Sequence, residues 1–354
     1  MDSACRRLGY LVATPLRGGY RGQVLSPPVG LPEAALASAL RRWWEMAVAS
    51  VEYRPVGWGS HHWEVADAAG CRWFVTVDEL AGKRLSEGEP LAAGFGRLRA
   101  SLAAARDLRD CGRMFVVPPV PARDGEPAVR VGDGFAVAVY PFIDGQSFEW
   151  GEFSSPAHRL GVLGLVAAVH TAPAGASRHA VADDFAVPRR DELEAACDLA
   201  GDVADCGPYA RAASLLVRQN AAPIRRLLDR YDRLVMQARA VPAPMVLTHG
   251  EPHPGNTMLT ADGCWLLIDW DTALVAPPER DLWSLDPGDR TVLDAYASAT
   301  GISPRPLLLD LYRLRWDIAD LAGDVSRFRR PHAGNIDDDK SWELLTSLIR
   351  RVSG

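Results

Sequence analysis

The sequence has no run of apolar residues that approaches the roughly 18 positions a membrane-spanning helix needs. Its first 30 residues hold two short apolar patches, which are broken by arginine and glycine and are not followed by a signal-cleavage pattern. An internal repeat and a low-complexity tract are absent as well. We therefore expect a soluble protein of the cytoplasm with no membrane partner.

Closely spaced cysteine pairs, which would indicate a metal or redox site, are also missing. The six cysteines are Cys5, Cys71, Cys111, Cys197, Cys206 and Cys264, and no two of them form a Cys-x-x-Cys pair. A chain of 354 residues buries enough apolar surface to fold without disulfide bonds. We expect all six to be reduced thiols.

Positive charge is not in excess. The formal net charge is −6 and the isoelectric point is near 5.8. Nucleic acids and anionic membranes are held mainly by positive patches, so a nucleic-acid partner is not expected. The content of 48% hydrophobic and 24% charged residues is that of an ordinary globular protein, and the length suits two lobes. These properties leave the oligomeric state open.

The residue pattern changes from mainly strand-like to mainly helical near residue 140. Before this point we predict strands at Val51–Val56, His62–Val65, Cys71–Val77, Met114–Val117 and Phe135–Val139, with a helix at Leu91–Asp110. The predicted class is α+β, with two lobes as in protein kinases. Residues 1–140 form a small β-sheet lobe with one helix and a lead-in segment, residues 141–145 a hinge, and residues 146–354 a larger helical lobe. A nucleotide fits the cleft between two such lobes.

The densest motif runs from Thr248 to Met258 and continues at Leu267–Asp271. Phosphoryl transfer needs an oxygen acceptor beside the attacking hydroxyl and oxygen ligands for Mg²⁺. Glu251 precedes Asn256 by five residues, the spacing of base and metal-binding Asn in a kinase catalytic loop, and Asp269 closes a hydrophobic strand. We predict these three residues as catalytic, with Asn256 and Asp269 holding the metal. In the same stretch, His253 is interpreted as part of the loop architecture and Asp271 as a brace of the turn.

These residues resemble the aminoglycoside phosphotransferase family, whose members have a protein-kinase-like fold and a His-Gly-Asp-x-x-x-x-Asn loop followed by Ile-Asp-Trp/Phe/Leu. Ala276–Trp283 is similar to the segment after the metal-binding Asp in the spectinomycin-phosphotransferase-like branch. The resemblance covers residues 45–320. It implies a Mg²⁺ site at Asn256 and Asp269, and it implies that Glu251 takes the place of the catalytic Asp with one more methylene. Glu279–Asp281 is then expected to be an ion-pairing and capping element beneath the loop.

In the first lobe, Val56–Trp63 fits the strand–turn–strand that covers nucleotide phosphates. Gly57, Gly59 and Ser60 are its predicted contacts, because glycine lets backbone N–H groups approach closely. The resemblance implies a phosphate-contacting lysine on the third strand, but the aligned residue is Thr76.

The helix Leu91–Asp110 contains no glutamate to pair with such a lysine, so both halves of the expected ion pair are missing together. An unpaired buried charge costs about 3–5 kcal/mol, whereas the loss of both partners is tolerable. Arg72, Lys83 and Arg99 are candidates for a substitute cation, and the sequence does not choose among them.

Tyr140, Phe142 and Ile143 form the predicted interlobe hinge, where a purine edge bonds to backbone and stacks on apolar side chains. Backbone contacts do not distinguish the bases, so both ATP and GTP are expected as possible donors.

The sequence thus predicts a Mg²⁺-dependent O-phosphotransferase that moves the γ-phosphate of ATP or GTP to a hydroxyl of a small-molecule antibiotic and confers resistance. Acidic and basic residues alternate between Asp310 and Asp339, which argues against a highly charged aminoglycoside. An aminocyclitol, a nucleoside or another glycosylated antibiotic fits better. One alternative is a metabolic kinase of a sugar, an amino alcohol or homoserine. Another is a pseudokinase that binds ligands without catalysis.

Overall fold

The computed structural model describes residues 26–57, 59–198 and 206–353, and every structural statement below concerns these residues. The helices are α1 (Glu33–Trp44), α2 (Leu91–Asp110), α3 (Pro156–His170), α4 (Arg190–Asp198), α5 (Ala210–Gln219), α6 (Ala221–Ala240), α7 (Glu279–Leu285), α8 (Thr291–Thr300), α9 (Pro306–Phe328) and α10 (Ile336–Ser353). The strands are β1 (Val48–Arg54), β2 (His61–Asp67), β3 (Arg72–Glu79), β4 (Val129–Val131), β5 (Phe135–Pro141), β6 (Gly145–Ser147), β7 (Val246–Thr248), β8 (Thr257–Thr260), β9 (Trp265–Leu267) and β10 (Leu274–Ala276).

The first lobe is built on a five-stranded antiparallel sheet in the order β1-β2-β3-β5-β4. Side chains alternate between the two faces of a strand, so Val75 and Val77 share one face of β3. Both are fully buried, in one apolar cluster with Leu36 and Leu40 of α1. The alternating pattern of the sequence therefore gives this sheet an outer core against α1.

The other face of the sheet packs on α2, which has the bounds predicted for it. Leu98 and Leu102 of this helix lie in one cluster with Ala138 and Tyr140 of β5. The helix is tied to the second lobe as well, because the Ser101 hydroxyl donates to the Ala273 carbonyl at 2.9 Å. This inner face lies over the cleft.

The second lobe is organised around α9, which packs against α4, α6, α7 and α10. Its buried positions recur every three or four residues, as expected for a helix face in a core: Leu311, Leu314, Ile318, Leu321 and Val325. Two small sheets, β6-β8-β9 and β7-β10, carry the densest sequence motif to the side of the lobe that faces the first. The predicted α+β class is confirmed.

One of the predicted strands differs from the structure. Met114–Val117 is not a strand, since it makes only an isolated bridge between Val116 and Leu267 beside a turn closed by Val116 and Arg113. In the second lobe, α5 and α6 are separate helices that meet at Asn220. The side-chain amide of Asn220 donates to the Leu216 carbonyl at 2.8 Å and so ends α5.

The prediction that all cysteines are reduced is wrong for Cys71, which is disulfide-bonded. Cys111, Cys197, Cys206 and Cys264 are free thiols, and Cys5 lies outside the described residues. Within the described ranges, no helix has both the length and the apolar character needed to cross a membrane.

Candidate active site

The loop that follows β7 is organised by the ring of His249, which is fully buried. Its Nε2 donates to the Ile268 carbonyl at 2.8 Å, and its Nδ1 accepts from the backbone N–H of Glu251 at 3.2 Å. Burial lowers the pKa of His249, which favours the neutral ring with one donor and one acceptor nitrogen that this geometry uses. His249 therefore fixes the loop against the segment that leads into Asp269.

Asp281 in the first turn of α7 holds the start of this loop. Its Oδ2 accepts from the His249 N–H at 2.8 Å, and its Oδ1 accepts from the Gly250 N–H at 2.6 Å. The His170 ring lies 3.1 Å from the same carboxylate. The carboxylate is fully buried, but these donors and the charges of His170 and Arg280 keep the pKa of Asp281 below its usual value.

Arg280 makes a second set of contacts below the loop. Its guanidinium donates to the Thr248 hydroxyl at 2.8 Å and to the Thr272 carbonyl at 2.7 Å. One carboxylate oxygen of Glu279 accepts from the Arg305 N–H at 2.6 Å. The predicted capping role of Glu279–Asp281 is confirmed, and it works through hydrogen bonds to backbone and hydroxyl groups.

The three residues predicted to be catalytic lie together at one end of the cleft. The Asn256 side-chain amide donates to the Glu251 carbonyl at 2.9 Å, and the Ile268 N–H donates to the Asn256 carbonyl at 3.0 Å. Asp269 is the residue after Ile268, and its backbone is in the left-handed region with φ of 63°. A non-glycine residue in this region is uncommon and costs free energy, and backbone strain of this kind clusters at active sites.

The cleft around Asp269 is rich in carboxylates. Asp269 is open to the cleft, yet desolvation by the surrounding walls and the charges of Asp271, Glu251 and Asp78 raise its pKa well above the usual value. Burial would also raise the pKa of Asp271, but the ammonium of Lys83 and a hydrogen bond with Asp269 lower it. A bound cation would relieve this excess of negative charge.

Lys83 is the cation that the structure places in the cleft. Its Nζ lies 2.8 Å from Asp78 Oδ1 and 2.5 Å from Asp271 Oδ2. The other two candidates, Arg72 and Arg99, instead form partly exposed ion pairs with other carboxylates. Sequence reasoning could not select Lys83, because a position in a loop after β3 gives no sign of which carboxylates it meets. Asp271, expected to brace the turn, is one of these partners.

The glycine turn between β1 and β2 reaches the same ion pairs through Ser60, whose hydroxyl donates to Asp78 Oδ1 at 2.6 Å. Gly57 and Gly59 have φ of 72° and 86°, in the left-handed region that glycine adopts readily. At Gly57 a Cβ would also lie 3.0 Å from the His62 ring. Thr76, the residue at the expected lysine position, lies on β3 between the paired strands β2 and β5 and shares the face of Asp78.

The hinge residues separate into two groups. Tyr140 and Ile143 join an apolar cluster at the back of the cleft, whereas the Phe142 ring packs under the Arg72 guanidinium at 3.6 Å. The Phe142 N–H is used in a 3.2 Å bond to the Arg72 carbonyl. The cluster also contains three residues that sequence reasoning missed: Phe74, Leu266 and Ile268. Two of them could have been found from their position in the sequence: Phe74 lies two residues before Thr76, and Ile268 lies directly before Asp269.

Two carboxylates of α9 lie one helical turn apart: Asp320, which is exposed and interacts with the charge of Glu251, and Asp324, which is buried. Desolvation, together with the charge of Glu251, raises the pKa of Asp320 to about 7. Desolvation and the charge of Asp320 raise that of Asp324 to about 7. Trp316 donates a hydrogen bond to Asp320.

The mixture of charges predicted between residues 310 and 339 gives several ion pairs, among them Arg313 with Asp310 and Arg327 with Asp338. Arg351, whose charge lowers the pKa of Asp320, pairs with Asp317. The exposed carboxylate of Asp320 and the partly exposed one of Glu251 form an acidic face beside these pairs.

Residues 51–322 match the phosphotransferase enzyme family. The chain belongs to this family. The predicted resemblance is confirmed, and together with the kinase-like fold it makes the chain a phosphotransferase of the small-molecule kinase class, with an alcohol group as acceptor. This phosphotransferase is 31% identical to Protein StrN of Streptomyces griseus over 255 residues, which are 70% of this chain and 75% of that protein.

Solved structures share the two-lobe kinase-like fold. A spectinomycin phosphotransferase in complex with ADP and spectinomycin matches with a TM-score of 0.64 at 15% identity, over 90% of this chain and 97% of that one. A choline kinase from Streptococcus pneumoniae matches with a TM-score of 0.57 at 13% identity, over 90% and 98%. An amicoumacin kinase in complex with AMP-PNP, Ca²⁺ and its ligand matches with a TM-score of 0.51 at 12% identity, over 91% and 92%. At these identities the likeness concerns the fold.

Proposed function

We propose that this phosphotransferase is a Mg²⁺-dependent enzyme of the cytoplasm that moves the γ-phosphate of ATP or GTP to a hydroxyl of a small-molecule antibiotic and so confers resistance. The observation that carries the proposal is the convergence of Glu251, Asn256 and Asp269 through the contacts of His249 and the Asn256 amide. The residues bring together a carboxylate for the acceptor and oxygen ligands for a metal.

Asn256 and Asp269 are suited to hold Mg²⁺. The side-chain nitrogen of Asn256 donates to the Glu251 carbonyl, so the side-chain oxygen of Asn256 is the atom that would bind the metal. The described residues contain no group of three His, Cys, Asp or Glu side chains that could hold a metal. This agrees with Mg²⁺, which commonly takes one or two carboxylates and completes its shell with water and substrate phosphates. When bound, the ion would neutralise charge on the transferring phosphoryl group.

Glu251 would orient the acceptor hydroxyl and accept its proton. Its backbone is fixed by His249, and its side chain is about one-third exposed to the cleft, at 31%. His253 Nε2 lies 3.8 Å from Glu251 Oε2, a distance that restricts the movement of this longer carboxylate. The additional methylene, relative to aspartate, places the acceptor slightly farther from the loop.

The donor nucleotide would lie between the lobes. Its base would pack in the apolar cluster that holds Phe74, Ile143 and Ile268, with Tyr140 at the back. Its phosphates would lie under the turn at Gly57 and Gly59, near Ser60, where close backbone approach is possible. The spectinomycin phosphotransferase and the amicoumacin kinase with this fold contain ADP and AMP-PNP.

The acceptor would carry a positive charge, because the exposed carboxylate of Asp320 lies near enough to Glu251 for the two charges to interact, and together they form an acidic face. Aminocyclitol and aminoglycoside antibiotics combine amines with hydroxyl groups and fit this chemistry. A nucleoside or another glycosylated antibiotic is the expected acceptor if it carries an amine.

A second candidate is an amino-alcohol kinase. The same acidic face would suit a small cation that bears one hydroxyl, and a choline kinase shares the fold. The distinction lies in the size of the acceptor, so it is tested with the same assay.

The test is phosphate transfer from ATP or GTP, with Mg²⁺, to a panel of aminocyclitol, aminoglycoside and nucleoside antibiotics, choline, homoserine and simple sugars. We expect a modified antibiotic by mass spectrometry and no turnover for Asp269→Ala. Transfer only to choline would replace the antibiotic with the amino alcohol. Nucleotide binding without transfer to any acceptor would contradict the proposal.

The role of Glu251 is tested separately. Glu251→Gln should lower kcat about 10²–10⁴-fold, the usual contribution of a general base, while the exposed Glu33→Gln on α1 should leave it unchanged. Full turnover by Glu251→Gln would show that another group positions the acceptor.

A further inference from the structure

We infer that Lys83, in the loop between β3 and α2, is the phosphate-contacting cation of this chain and takes the place of the lysine absent at Thr76. The inference rests on the proposed function, since it assigns a group to the nucleotide of that reaction. Both halves of the expected ion pair are relocated. The lysine moves from β3 to the following loop, and its carboxylate partner moves from α2 to Asp78 at the end of β3.

The basic side chains of this sequence are almost all arginines, so a lysine at position 83 stands out. The sequence has 39 Lys and Arg residues, and only Lys83 and Lys340 are lysines. An ammonium is a compact charge with three donors, whereas a guanidinium is a planar fork suited to bidentate pairs. Two of the donors of Lys83 are used by Asp78 and Asp271. A phosphate oxygen is the natural partner for the third.

The backbone of Lys83 is held firmly. Its N–H donates to the Leu80 carbonyl at 3.2 Å, closing the turn that ends β3. Its carbonyl accepts from the Arg97 guanidinium at 2.9 Å. Gly94 of α2 packs so closely that a Cβ there would lie 3.0 Å from the same carbonyl oxygen. These contacts fix the backbone of Lys83, and the side chain extends from it into the cleft.

The location of the ammonium matches a phosphate site. Asp78 links it to the glycine turn through the Ser60 hydroxyl at 2.6 Å, and Asp271 lies two residues after Asp269. Lys83 thus lies between the turn predicted to cover the phosphates and the residue predicted to hold their metal. Its two carboxylate partners come from different lobes, so the ammonium also joins the lobes across the cleft.

The two carboxylates have a specific role in this arrangement. Asp78 is almost completely buried, at 3% exposure, and without Lys83 it would lose its cationic partner and keep the hydrogen bond from Ser60. Asp271 is not a ligand of the nucleotide in this assignment. It orients Lys83 and thereby acts as a positioning residue.

The test is nucleotide binding by calorimetry, with and without Mg²⁺, to the full chain. Lys83→Met should weaken binding at least about 10-fold in both conditions, because it removes a charged hydrogen-bond donor to the phosphates. Lys340→Met, which removes the other lysine, should bind like the original chain. A Thr76→Lys change in the Lys83→Met protein should restore part of the affinity, since residue 76 shares the face of Asp78.

Thermal unfolding in the absence of nucleotide checks that each variant is folded. If Lys83→Met does not fold, the Lys83→Met/Asp78→Asn double variant also removes the buried negative charge that has lost its cation, and the binding test is made on that variant. Unchanged affinity in a folded variant overturns the inference and makes Lys83 an interlobe ion pair only. Binding by the original chain without phosphate transfer overturns the proposed function and leaves the assignment of Lys83 intact. No nucleotide binding by the original chain overturns both.

Discussion

A Cβ atom at Gly250 would lie 2.5 Å from the Arg280 guanidinium. Gly250 has φ of 100°, and its N–H donates to Asp281. The residue directly before Glu251 is therefore held between two buried side chains of α7. This contact makes the position of Glu251 depend on a helix about 30 residues farther along the chain.

Gly250→Ala should lower both stability and turnover. The strain of a left-handed alanine costs about 1–3 kcal/mol, and overpacking against Arg280 adds a similar amount. Gly263→Ala is the matched control, because Gly263 has φ of 81° but no atom within 4 Å of a Cβ. Urea unfolding should show a larger loss for Gly250→Ala than for Gly263→Ala. Equal losses would mean that Arg280 moves aside and does not fix the loop.

Asp281→Asn should destabilise the protein by about 3–5 kcal/mol, because it breaks a buried group of charged partners around His170 and Arg280. The amide also brings its own donors to a place where His249 and Gly250 already donate. Turnover should fall as well, as the loop loses its anchor. Asp289→Asn is the control, since Asp289 also accepts from a backbone N–H, that of Thr291, but at an exposed site. A change of less than 1 kcal/mol for Asp281→Asn would contradict the bracing role.

Asp324 should make the protein less stable as the pH rises. Its pKa is about 7 in the folded state against 3.8 as its ordinary value, so the unfolded chain releases the proton first as the pH increases from 4 to 7. Asp324→Asn should therefore raise the free energy of unfolding at pH 8 by about 4 kcal/mol and leave it nearly unchanged at pH 4. The exposed Asp310→Asn should show no such trend. An equal effect at both pH values would exclude titration as its cause.

Asp320→Asn should weaken the binding of a cationic acceptor, because Asp320 is the exposed carboxylate of the acidic face. It should raise the KM for an amine-bearing substrate while the KM for nucleotide stays constant. A loss of stability alone would not raise the KM for the acceptor and leave the KM for nucleotide constant. If both constants change together, the acidic face does not bind the acceptor.

Phe74 and Phe142 should differ in their effect on the nucleotide. Phe74 lies in the apolar cluster with Ile143 and Ile268, whereas Phe142 packs under Arg72. Stacking on a base is worth about 1–3 kcal/mol, so Phe74→Ala should weaken nucleotide binding about 10-fold or more. Phe142→Ala should change it less than about 3-fold if its ring serves Arg72. The reverse order, measured by calorimetry, would restore the hinge role that the sequence predicts for Phe142.

The sequence by itself determined the features that depend on neighbours in the chain. The spacing of Glu251 and Asn256, the bounds of α2 and the glycines of the first turn are local patterns, and local patterns fix helix faces, strand alternation and turn conformations. They were enough to predict the two-lobe α+β class and the family. The domain boundaries at residues 141–145 and the roles of the three catalytic residues stay predictions.

Only the tertiary structure decided which distant side chains meet. The sequence offered three cations and could not select Lys83, because its partners Asp78 and Asp271 are brought together by the closure of two lobes. The acidic face at Asp320 was hidden among arginines whose partners are set by packing. A charge takes its function from the charges around it in space, and the order of residues in the chain does not contain that information directly.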